Sequence, residues 1–131
     1  MGMNEKLIWT DTREAASDYS SKQYYGCKMT ADKKVGLPTA DTDVPAGLVI
    51  NNPESGKAAQ VLVMGRAPAP VAETITYGQK VRIASGGKVA LWEVADTDKY
   101  CVGICVEGAT VDGDTPYGVF DFCFPGAIAT S

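Results

Sequence analysis

Any chemistry in this chain would have to come from its four cysteines, its closely spaced aspartates or its serines near lysines, because the sequence contains no histidine. Without imidazole there is no Ser-His or Cys-His pair, and no side chain whose ordinary pKa lies near neutrality. Serines precede lysines in "ESGK", Glu54 to Lys57, and in "SGGK", Ser85 to Lys88. Both stretches read as turns, where a solvated lysine is the expected state rather than a Ser-Lys dyad. "PESGKAAQ" lacks the first glycine and the hydroxyl of a phosphate-binding loop, since Asn51 and Ala58 stand at those positions. No catalytic residue emerges, and the chain reads as a non-enzyme.

Metal ligation fares no better. Cys101 and Cys105 are four apart in "CVGIC", while Cys27 and Cys123 stand alone. A structural zinc site calls for clustered ligands, so the four are expected to be reduced, buried and apolar. Asp41 with Asp43, Asp96 with Asp98, and Asp112 with Asp114 form D-x-D pairs, but none continues with the glycine and glutamate of a helical-hand calcium loop. They read as turn-stabilising aspartates, and neither metal nor cofactor is expected.

The formal net charge of -4 and the lack of a basic stripe argue against nucleic acid as a partner. The first residues lack the apolar run of a signal peptide, and no stretch approaches the length that spans a bilayer. The expectation is a soluble protein made in the cytoplasm, with no membrane partner.

The elements that would position any surface are short strands. "ADTD" occurs at Ala40 to Asp43 and again at Ala95 to Asp98. Around the copies other pairs keep order: Tyr25-Gly26 with Tyr77-Gly78, Lys34-Val35 with Lys88-Val89, Gly47-Leu48 with Gly103-Ile104, and Val61, Val63 and Gly65 with Phe122, Phe124 and Gly126. One unit of roughly 50 residues present twice explains this order. Each ADTD is then a turn leading into "GLVI" or "VGICV". Ser85-Gly86-Gly87 reads as a hairpin turn between alternating strands, and Phe120, Phe122 and Phe124 alternate with Asp121 and Cys123 as a core-facing strand.

The fold class expected is all-β, a small β-barrel or sandwich built from two pseudo-repeated units of about four strands with an extended N-terminal arm. Residues 1–23 form the arm and residues 24–131 a single β domain. Its repeats span about 24–65 and 75–126, joined by a Pro-rich connector at 66–74, with the natural joint at "GRAPAP", Gly65 to Pro70. "TREAASDYSSKQ" could form a turn or two of helix. Val81, Ile83, Leu91, Ile104, Phe122 and Phe124 are expected inside. Leu7, Ile8 and Trp9 in "KLIWT" are the candidate contact to a shell or neighbour, with folding back onto the barrel as the alternative.

The stretch "YGQKVRIASGGKVALWEVADTDKYCVGICVEGA", followed by "VFDFCFPG", resembles the head decoration, or capsid cement, proteins of tailed bacteriophages. The two-unit pattern covers about Tyr24 to Gly126. The resemblance implies a β-barrel-like body on the outside of the virion head, bound to the major capsid protein as a homo-oligomer, with a trimer favoured. A phage tail or baseplate component is the alternative, and a small-ligand β-barrel is a weaker one.

Overall fold

The computed structural model describes residues 6–31, 33–96, 99–110 and 116–125. The elements are all strands: β1 (Lys6–Ala15), β2 (Tyr25–Ala31), β3 (Lys34–Gly36), β4 (Pro45–Val49), β5 (Ala58–Pro70), β6 (Lys80–Ile83), β7 (Val89–Leu91), β8 (Gly103–Glu107) and β9 (Tyr117–Cys123). They form one sheet in the order β1-β3-β2-β4-β5-β9-β8-β6-β7, and β1 also pairs with β5. That pairing closes a first ring, β1-β3-β2-β4-β5. A parallel bridge between Val71 and Val89 brings the end of β5 onto β7 and closes a second, β5-β9-β8-β6-β7. The long strand β5 belongs to both.

The registers of the two rings coincide residue by residue. Cys27 opposite Gly47 corresponds to Val81 opposite Gly103, and Met29 opposite Val35 to Ile83 opposite Val89. Val49 opposite Val61 corresponds to Cys105 opposite Phe120, and Arg13 opposite Ala59 to Ala69 opposite Gly118. Loop bonds follow suit. Ala16 N–H donates to Val35 O at 2.6 Å and Ala72 N–H to Val89 O at 2.8 Å, while Tyr19 N–H reaches Pro53 O at 2.8 Å and Ile75 N–H reaches Ala109 O at 3.0 Å. Gly47 and Gly103 sit where a neighbouring carbonyl leaves no room for a side chain, Leu62 O in one ring and Asp121 O in the other.

This correspondence moves several expected boundaries. Residues 6–15 are not an arm: β1 runs antiparallel to β5 from Lys6 opposite Arg66 to Glu14 opposite Ala58. The stretch expected to turn helical is therefore partly strand, since Thr12 and the alternating burial of residues 11–15 suit a pleated surface. Nor is 66–74 a free connector, because residues 66–70 pair with β9. The prolines fit for a directional reason. Val71 N–H turns to Pro116 O beside β9 and Ala72 N–H to Val89 O on the other side. By alternation Pro68 and Pro70 lack their N–H on the side of Ala72, away from β9, and among the described residues no strand pairs with them on that side. The partners of Val61, Val63 and Gly65 are Phe120, Phe122 and Phe124, two residues earlier than the spacing suggested. Tyr24, not Tyr25, corresponds with Gly78, and both adopt positive φ, 71° and 89°.

The SGG hairpin forms as read, with Gly86 and Gly87 at φ 90° and 97°. Val81, Ile83, Phe122 and Phe124 are buried and Leu91 is partly so, but Ile104 is 41% exposed. Cys105 takes the inward place, because Gly103 opposite Phe122 sets the alternation of β8. Cys27 and Cys105 are buried, whereas Cys101 and Cys123 are exposed, contrary to the uniform burial expected.

Candidate interaction groove

Inside the first ring pack Ala15, Tyr19, Cys27, Val35, Val49, Ala59 and Val61. The register equivalents in the second are Val71, Ile75, Val81, Val89, Cys105, Gly118 and Phe120, all buried. Among these matched residues each interior has one aromatic ring. Tyr19 enters the first from the loop after β1 and donates its hydroxyl to Gly26 O at 3.1 Å. Phe120 enters the second from β9, and Gly118 makes room for it: a Cβ there would lie 2.9 Å from Phe120 Cζ. Burial pushes the Tyr19 hydroxyl far above its ordinary pKa and the Cys27 thiol up to about 12, so both stay neutral.

The rings differ at their mouths. At the second, Ile83 is 4% exposed, Val102 and Phe122 are buried, and the chain of Gly26 lies across Ile83 so closely that a Cβ on Gly26 would be 2.6 Å from Ile83 Cγ2. At the first, the equivalent of Ile83 is Met29, 45% exposed, with Ala46 in place of Val102 and Val63 in place of Phe122. There a groove of about 790 Å³ opens, floored by Val35, Val61 and Val63 and flanked by Trp9, Val44 and Pro125.

Its rim charges are matched within the chain. Lys28 Nζ lies 3.1 Å from Asp43 Oδ2, and Arg13 lies 3.5 Å from Asp11, which also receives Trp9 Nε1 at 3.4 Å. Asp43 accepts the backbone N–H of Thr39 at 2.9 Å and of Ala40 at 3.1 Å. The Thr39 bond first, and then Lys28, hold its pKa down to about 2. The groove is thus apolar and charge-balanced, with no acid, base or nucleophile at its floor. Among the described residues no group of three or more His, Cys, Asp or Glu side chains could hold a metal.

The sequence candidates divide. Trp9 lines the groove and packs against the core. Ile8, 70% exposed, and Leu7 lie on the outer surface of β1, where Ile8 adjoins the Arg66–Asp121 ion pair, 2.6 Å from Nε to Oδ1. Of the aspartate pairs, Asp43 does turn work at the rim. Asp41 instead receives Ser85 N–H at 2.7 Å across the molecule, and Asp96 receives Glu93 N–H at 2.9 Å. Both ADTD copies therefore follow the third strand of their set, but the capping aspartate is the fourth residue of one and the second of the other. Asp98, Asp112 and Asp114 lie outside the described residues. The serines of ESGK and SGGK both sit in turns. Met29 and Val44 carried no sequence signal, because only the register of β2 against β3 and β4 brings them to one mouth.

The architecture defines an all-β protein with a ring-closed sheet and an open apolar groove. No family model matches the sequence, and no curated protein does. Among solved structures the chain is similar to the crystal structure of the head fiber gp8.5 N base of bacteriophage phi29. The TM-score is 0.61 and the identity 14%, over 87% of this chain and 92% of that one. At that identity the likeness is one of fold.

Proposed function

We propose that this chain is a structural protein of a tailed-phage virion, a decoration or cement protein that binds the outside of the head and stabilises the shell. The observation that carries the reading is the fold shared with the phi29 head fiber base over most of both chains. That likeness favours the head over the tail or baseplate. The groove supports it in kind: an apolar, charge-balanced recess with exposed Met29 and Val44 suits packing against another protein better than turning over a polar substrate. On this reading the major capsid protein seats an apolar, uncharged segment in the groove beside Trp9, with Leu7 and Ile8 as flanking contacts and the protein arranged as a homo-oligomer, a trimer by the sequence resemblance. The internal repeat is part of the same reading, as one five-stranded unit used twice.

The test is sedimentation with purified heads that lack this protein and, in parallel, with isolated tails. Saturable binding to heads at a fixed copy number is the expected result. Binding to tails alone, or to neither, overturns the proposal.

A further inference from the structure

The β6–β7 hairpin is docked against the first ring. Gly26 N–H donates to Gly87 O at 2.7 Å and Gly86 N–H to Pro38 O at 2.9 Å. Ser85 N–H reaches Asp41 Oδ1 at 2.7 Å, the Arg82 guanidinium lies 3.6 Å from the same carboxylate, and Ile83 lies under Gly26. The contact is tight because two glycines meet: a Cβ on Gly87 would lie 3.0 Å from Gly26 O.

By register, each half of this contact has a counterpart facing solvent on the other ring. Met29 and Lys33 correspond to Ile83 and Gly87, and Lys33 keeps the left-handed backbone of its counterpart, φ 61° against 97°. Lys80 corresponds to Gly26, since Lys80 opposite Ile104 repeats Gly26 opposite Leu48. Trp92, two residues past Ala90 as Pro38 is two past Gly36, is partly buried, with Lys80 Nζ 5.8 Å from its ring centroid, and lines one recess with Val94, which is 87% exposed. The molecule therefore displays an apolar Met29 face at one side and an apolar Trp92–Val94 face at the other.

We infer that these faces are the two halves of a head-to-tail interface for a second copy of this chain, and that Lys33 and Lys80 block it. Docked as the second ring docks on the first, the neighbour would bring Lys33 onto the backbone of Lys80, where the internal contact has two glycines. Both a Cβ overlap and two like charges would fall at the point of closest approach. An unblocked contact of this kind does not pair a surface with itself, so it propagates into rings or filaments. The lysines end the array at two rings, as polar caps end repeat proteins.

Sedimentation velocity over a concentration series, with thermal melts as the fold control, tests this on wild type, Lys33→Gly, Lys80→Gly and the double variant. Lys33→Gly with Lys80→Ala serves as a second double variant that spares β6 an added glycine. Each double variant is expected to self-associate at least about tenfold more tightly than wild type, and adding Met29→Asp is expected to remove the gain. Folded double variants that sediment as wild type at every concentration overturn the inference, and so does a gain that survives Met29→Asp.

Discussion

In the second ring Phe120, Phe122 and Phe124 follow one another along β9 and just past its end, their centroids 5.6 and 5.2 Å apart, and the neighbouring ring roofs the mouth at Ile83. In the first ring the same register positions hold Val61, Val63 and Gly65, and the mouth stays open. The strand frame is common to both. Side-chain volume and a roof decide which mouth becomes core and which stays open. A difference of this kind is informative because closing the first mouth would require only ordinary residues, as the second demonstrates.

The comparison can be broken first at the aromatic that fills the second interior. Phe120→Ala is expected to cost about 3–5 kcal/mol, while Val61→Ala at the matched place in the first ring should cost about 2 kcal/mol. Urea denaturation of the two variants checks this, and equal losses would show that the interiors are not packed differently. A smaller effect sharpens the contrast between Ala59 and Gly118. Gly118→Ala should cost about 1–3 kcal/mol by overpacking, because the new Cβ would meet Glu107 O at 2.8 Å as well as Phe120. Ala59→Gly should cost only about 0.5–1 kcal/mol.

Smaller still is the effect at the rim aspartate, and its direction with pH is fixed. The folded-state pKa of Asp43 lies below the ordinary 3.8, at about 2, so its contribution is fully present above pH 3.8 and is lost as pH falls towards 2. The difference in melting temperature between wild type and Asp43→Asn should therefore be constant above about pH 4.5 and shrink through that window. A difference that grows on acidification would contradict the bonding assigned to this carboxylate.

Local chemistry was legible in the sequence. Ser85-Gly86-Gly87 announced a hairpin, and the alternation of Phe120, Phe122 and Phe124 announced a buried strand face. The matching register of the two rings was visible where paired strands carry identical residues, as at Lys34-Val35 with Lys88-Val89. It was misjudged where chance matches lay nearby, as at Tyr25 and Tyr77. The prolines at 68 and 70 pointed to a connector because proline lacks a donor, and only the sheet order shows that among the described residues no strand faces the side on which they lack it. β1 was hidden for a related reason. Its partner β5 lies some fifty residues away, and nothing in "KLIWTDTREA" marks a closing strand. The groove was least legible, since it is a space left by small residues on several strands rather than a motif on one.

The most direct measurement fills that space. A chain with Ala46→Val and Val63→Phe has at the first mouth the residues of the second, Val102 and Phe122, and Val44→Asp alters the exposed rim without touching the interior. Melting temperatures establish that both variants are folded, and sedimentation with heads lacking the protein measures their binding beside wild type. If the open mouth is the contact surface, both variants should bind at least about tenfold more weakly than wild type. Folded variants that bind heads with unchanged affinity would contradict the account and return the contact to some other face of the molecule.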